Sequence, residues 1–146
     1  MNISYKLKGL NKTIRRVEKM SKKAQIEVAN DIKFAALDTE SLAKKKAPIN
    51  KAYGVGGLLR SSIIANFLAK FSWAVGSDKD YASHVEYGTR AHVIKIKNKK
   101  GLSDGINFFG KSVQHPGTQA QPFLRPAYNK AINNLKKQIK LTISRL

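Results

Sequence analysis

Three observations predict an α+β fold, in which a long N-terminal helix and a long C-terminal helix pack on a small antiparallel sheet with an extended hairpin. Two long segments, Lys8 to Lys46 and Phe123 to Ser144, place apolar residues every three or four positions among lysine, asparagine and glutamate or glutamine. Between them lie short runs rich in β-branched and aromatic residues, separated by glycine-rich or polar turns. The chain has 146 residues, which suits a single domain over 1–146 with a core of its own.

The first helix is carried by Leu10, Ile14, Val17, Ala24, Val28, Ile32, Ala35, Leu42 and Ala43. Asn11 and Ser21 are alternative N-caps, which leaves open where the helix starts and whether it breaks once. Pro48 stops it, because a proline pushes the residue before it out of the α region. Pro48 to Gly57 reads as a loop, Leu58 to Ala69 as a strand and Phe71 to Val75 as a second strand. After the polar turn Ser77 to Asp80, Asp80 is placed to cap a short helix over Tyr81 to Tyr87, which Gly88 ends. Ala91 to Lys97 alternates cleanly as a strand and turns at Asn98 to Gly101. Leu102 to Gln119 reads as the return arm of a hairpin followed by a loop. Pro122 and Pro126 fall at the entry to the last helix, where a missing N–H costs little. Leu124, Tyr128, Ala131, Leu135, Ile139, Thr142 and Leu146 form that helix's apolar stripe, widened by Ile132 and Ile143.

Composition narrows the function. A hydrophobic content of 42% is that of a folded chain, and the lack of cysteine excludes disulfides, thiolate zinc sites and a cysteine nucleophile. No apolar run approaches the roughly 20 residues that span a bilayer, and the N-terminus reads as no secretory signal, so no membrane partner is expected. The 28 Lys and Arg against 9 Asp and Glu, formally +19, would suit an acidic partner. Yet 22 of the 28 cations are lysine, and they are spread along the chain, which a solvated surface explains equally well.

Chemistry-bearing patterns are lacking. His84, His92 and His115 have no metal-ligand spacing, and His84 and Glu86 are two residues apart, so on a helix they face different ways. No GxSxG surrounds Ser61–Ser62, and Gly54, Gly56 and Gly57 fit neither a P-loop nor a dinucleotide fingerprint. Hence no enzyme, cofactor or metal is expected. The alternative function is a basic nucleic-acid-binding protein. It would use Lys130, Lys136, Lys137, Lys140 and Arg145 or Lys95, Lys97, Lys99 and Lys100 on phosphates, with Tyr81, Tyr87, Phe108 and Phe109 for stacking.

Four short segments occur in a telling order: Ala47-Pro48, Gly57-Leu58-Leu59-Arg60-Ser61-Ser62-Ile63, Tyr81-Ala82-Ser83-His84-Val85-Glu86-Tyr87-Gly88-Thr89, and Gln121-Pro122-Phe123-Leu124-Arg125-Pro126-Ala127. Together they resemble the tail-component family of long-tailed (siphovirus) phages and prophages, whose members are also described as neck or tail-completion proteins. The resemblance spans about residues 10 to 146. It departs at Gly56, where the family has threonine, and in a longer spacing between Ala-Pro and Gly-Leu-Leu-Arg. It implies a virion structural protein of the head–tail connector, neck or tail-completion region. It further implies assembly as a ring of like subunits against adjacent neck or tail proteins, with non-specific contact with packaged DNA open. The protein would occupy the host cytoplasm during assembly and the virion afterwards. The motif residues expected to carry interactions are Arg60, Tyr81, Glu86, Gly88, Thr89, Pro122, Phe123, Leu124, Arg125 and Pro126. Glu86, a rare acid in a basic chain, is expected to pair with Arg60, Arg90 or Arg125. Arg125 is preferred, because the two strongest motifs should meet in space.

Overall fold

A computed structural model describes residues 3–6, 11–49, 57–96, 101–103 and 107–145, and the fold is α+β. The N-terminal helical pattern is broken once. α1 runs Asn11–Val17 and α2 runs Lys22–Lys46. Ser21 caps α2, its Oγ accepting from the Ala24 N–H (3.3 Å). Gln25 donates to the Glu18 and Met20 carbonyls and so satisfies acceptors at the break. Ala47 closes the helix, its N–H bonded to the Ala43 carbonyl, immediately before Pro48.

α5, Leu124–Ser144, lies along α2, and the two form one layer. Val28, Ile32, Leu135 and Ile139 are buried in the shared core. Thr39 interrupts the apolar stripe of α2 at no cost in unmet hydrogen bonds, since its hydroxyl donates to the Ala35 carbonyl (2.7 Å). Asp31 adds a polar tie between the helices by accepting from the Thr142 hydroxyl (2.7 Å).

The second layer is an antiparallel sheet of three strands in the order β1-β3-β2: β1 Ile3–Lys6, β2 Ile63–Ala69 and β3 Ser72–Ser77. Registers place Ile3, Ser77 and Ile63 in one row and Tyr5, Val75 and Ala65 in the next, on the face turned to the helices. In this layer two elements differ from the sequence reading. The segment read as one strand from Leu58 starts as a short helix, α3 (Leu58–Ser61), because Gly57 adopts φ +108° and its carbonyl accepts from Ser61. The helical turn buries Leu59 and lets β2 start at Ile63. β1 was not anticipated, since four residues give too little periodicity to read. Its partner shows the requirement: a Cβ on Gly76 would lie 2.3 Å from the Ile3 carbonyl oxygen.

The outer edge of β2 is blunted from within, since Glu40 of α2 accepts the Ala65 N–H (2.8 Å) while pairing with Lys44. α4, Ala82–Tyr87, follows β3, and its N-cap residue is Tyr81, with no side-chain cap, rather than the expected Asp80. β4 (His92–Lys95) pairs with β7 (Ser112–His115), and β5 (Leu102–Ser103) with β6 (Phe108–Gly110), so the expected hairpin is a ribbon separate from the main sheet. Its expected turn at Asn98 to Lys100 and the end of the strand at Lys97 lie outside the described residues.

Gly76→Ala should cost about 1–3 kcal/mol through overpacking against β1. Urea unfolding checks this, and removing residues 1–6 as well should erase the difference between alanine and glycine.

Candidate functional site

Two chain segments far apart in sequence are locked together at the start of α5. α4 ends at Gly88, whose φ of +71° suits glycine. A Cβ there would lie 2.5 Å from the Thr118 carbonyl oxygen, so the position needs glycine for space as well as for angle. Thr89 and Thr118 then form an antiparallel bridge, with N–H to carbonyl distances of 2.9 and 3.1 Å. Gly117 faces the same bridge (φ +90°), its missing Cβ leaving room for the Thr89 carbonyl. Thr89 makes this connection through its backbone, and its Oγ1 is buried without a hydrogen-bond partner.

Beyond the bridge, the Gln121 N–H donates to the Val85 carbonyl (2.8 Å), and Glu86 completes the joint. Its side chain is 1% exposed. Oε2 accepts from the backbone N–H groups of Phe123 and Leu124, and Oε1 from that of Arg125, each at 2.8 Å. Phe123 is the N-cap residue of α5 and provides no side-chain cap. A helix leaves its first four N–H groups without partners inside the helix. Here three are taken by Glu86, and the fourth position is Pro126, which has no N–H. A negative charge at a helix N-terminus is further favoured by the helix dipole. Charge-assisted bonds of this kind offset the cost of burying a carboxylate.

The two strongest motifs therefore do meet, but the link differs from the expected ion pair. Glu86 contacts Arg125 through its backbone amide, and the Arg125 side chain is exposed. Phe123 and Leu124 are fully buried and anchor the helix, while Pro122 is exposed. Around the joint, Tyr5 shares a hydrogen bond with Tyr87 (2.9 Å) and packs on the ring of Tyr128 at 5.4 Å between centroids. Burial first, then the bond to Tyr87, push the Tyr5 phenol well above the usual tyrosine range.

The other singled-out residues have separate places. Arg60 donates to the Ala47 carbonyl (3.4 Å), joining α3 to the end of α2, and its Nε is buried without a partner. Tyr81 is exposed and lines a largely apolar groove of about 540 Å³ with Ile49, Leu58 and Val85. The histidines, read as unclustered in sequence, all border one cleft of about 430 Å³ beside the Thr89–Thr118 bridge. The rings of His92 and His115 stack at 5.1 Å. His92 Nδ1 donates to the Arg90 carbonyl and His115 Nδ1 accepts from the Gly117 N–H, so both rings serve the backbone at the hairpin base. Among the described residues no three His, Cys, Asp or Glu side chains are grouped to hold a metal, and no helix is long and apolar enough to cross a membrane.

Over residues 11–88, just over half of the chain, the sequence matches the family profile described as "Bacteriophage HK97-gp10, putative tail-component". Comparisons with curated proteins and with solved structures found no match. The matched span ends at Gly88, so it contains Glu86 but not the helix start that Glu86 caps.

Glu86→Gln should lower stability by about 1–3 kcal/mol, because an amide can present only one oxygen to the three N–H groups. Arg125→Ala should change it by less than about 0.5 kcal/mol, because the contact is made by the backbone. Thermal or urea unfolding of the two variants separates a helix cap from an ion pair. Tyr5 supplies a pH test. With its folded pKa raised, its contribution is complete below the ordinary tyrosine value near 10 and is lost as pH rises above it. Tyr5→Phe should therefore flatten the fall of the urea midpoint between about pH 9.5 and 11.5.

Proposed function

The chain belongs to the bacteriophage HK97-gp10 tail-component family, and on that basis we propose that it works in the neck or tail-completion region of a long-tailed phage or prophage particle. In this reading it assembles with like subunits into a ring and contacts adjacent neck or tail proteins, without catalysing a reaction. It is made in the host cytoplasm and ends in the virion. The match over residues 11–88 is the observation that carries the reading.

The physical character of the surface supports it. Large apolar side chains are exposed on several elements, among them Phe34 of α2, Leu58 of α3, Phe67 of β2 and Phe108 of β6. Scattered apolar exposure is ordinary, but side chains this large and this open suit contacts made on assembly. The motif residues divide accordingly. Glu86, Gly88, Thr89, Phe123, Leu124 and Pro126 build the joint, whereas Tyr81, Pro122 and Arg125 are exposed and open to neighbouring proteins, and Arg60 ties α3 to the end of α2. The basic charge is compatible with loose contact to packaged DNA, a secondary role beside protein assembly.

A phage or prophage whose copy of this gene is interrupted should give DNA-filled heads and tails that fail to join or complete, seen by negative-stain microscopy. Purified wild-type particles should contain the chain by mass spectrometry. Normal infectious particles without the chain would reject the assignment. Tight, saturable duplex binding with a steep salt dependence would move it to a nucleic-acid reader.

A further inference from the structure

Among the described residues, the β4–β7 arm makes no layer with the long helices or the main sheet of its own subunit. Among the described residues, β4 and β7 pair with each other and β7 meets β6, but neither strand packs along α2, α5 or the three-stranded sheet. An isolated two-stranded ribbon is marginally stable in water, so the arm gains most by lying on another surface. Its exposed face is both apolar and basic. Val93 and Lys95 stand side by side on one face of β4, with Val93 50% exposed. Phe108 of the neighbouring β6 is 68% exposed as well. No acid lies among the described residues of the arm.

A surface with the opposite character lies on the helix layer. Between α2 and α5 runs a groove of about 370 Å³ whose lining includes Asp31, Phe34, Asp38, Asn134 and Gln138, and no lysine or arginine. Phe34 is 62% exposed there, and Glu27 sits one helical turn before Asp31. In a chain of net charge +19, three of the nine acids are thus gathered along one stripe of α2. Copies of so basic a chain repel one another over most of their surface, so a contact between them is favoured where a locally acidic patch meets a basic one.

We propose that the β4–β7 arm of one subunit docks onto the α2–α5 groove of a second copy, with Lys95 meeting Asp38 and the apolar side chain of Val93 packing against Phe34. This rests on the assembly reading above and specifies its subunit contact. The two surfaces differ, so the contact is heterologous, head to tail, which is the type that closes into rings.

The cysteine-free chain allows a direct test. Two single-cysteine chains, Asp38→Cys and Lys95→Cys, are produced together in cells assembling the particle, and purified particles are oxidised and run on a non-reducing gel. Only a link between two subunits can form. The expected result is a mixed dimer at least about fivefold more abundant than either like-with-like dimer, as the reach of a disulfide demands. Particles that contain both chains but show no mixed dimer, or chiefly Asp38→Cys linked to itself, would overturn the docking while leaving the assembly reading in place. Absence of the wild-type chain from particles would remove both. Charge variants give a second measure. Asp38→Lys and Lys95→Glu should each cut the yield of complete particles by about tenfold, and the double variant should recover most of it, because the swap restores opposite charges. A double variant no better than either single one would also count against the docking.

Discussion

The Glu86 carboxylate supplies what α5 lacks for itself. The residue at the helix N-cap is phenylalanine, chosen for burial and unable to accept a hydrogen bond through its side chain. The N–H groups of the first turn lie against the core, where water is not at hand to satisfy them. A side chain from 37 residues earlier reaches in and takes three of them, and Pro126 removes the fourth. The position of α5 relative to α4 follows, and with it the burial of Phe123 and Leu124 and the approach of Tyr128 to Tyr5. A carboxylate this deep in the protein stays favourable only while its donors hold their places, so the joint defines one geometry and tolerates little drift.

That joint also divides the molecule. The chain between Gly88 and Gln121 leaves through the Thr89–Thr118 bridge and returns through it, with Gly88 and Gly117 making the close approach sterically open. The arm is therefore tied at its base, while among the described residues β4 and β7 do not pack along the long helices or the three-stranded sheet. His92 and His115 support this base through backbone contacts. A change in the length or sequence of the arm can alter what the protein touches without disturbing the α2–α5 layer or the sheet. The separation suits a component that keeps one body and meets variable neighbours.

The scarce acids have specific structural work, which a formal charge of +19 hides. Glu86 caps a helix. Glu40 closes a backbone donor on the edge of β2, where an open strand would invite unwanted pairing. Asp31 accepts the Thr142 hydroxyl and ties the two long helices together. In each case the carboxylate binds a backbone N–H or a hydroxyl, and Glu40 pairs with Lys44 in addition. The surface lysines, long, flexible and hydrated, contribute solubility and repulsion between copies more than fold.

The α+β class, the two long helical segments and their apolar stripes, an extended hairpin and the stop at Gly88 were legible in the sequence, and Ser21 was one of two caps at which a break was left open. Each depends on local chemistry: periodicity, caps, proline and glycine. So was the meeting of the Tyr81–Thr89 and Gln121–Tyr128 stretches, though only as an expectation drawn from resemblance. What the tertiary structure decided lies in long-range geometry. β1 is four residues that become a strand only because Gly76 leaves room beside β3. α3 replaces the first turn of a predicted strand because Gly57 takes a left-handed conformation that buries Leu59. Glu86 meets backbone amides rather than a guanidinium, because the nearest donors that desperately need an acceptor in the core are the N–H groups of α5. Sequence named the acid and the helix entry as important; only the fold could say that they meet as a cap instead of a salt bridge, since that depends on which donors are left unsatisfied once the core has closed.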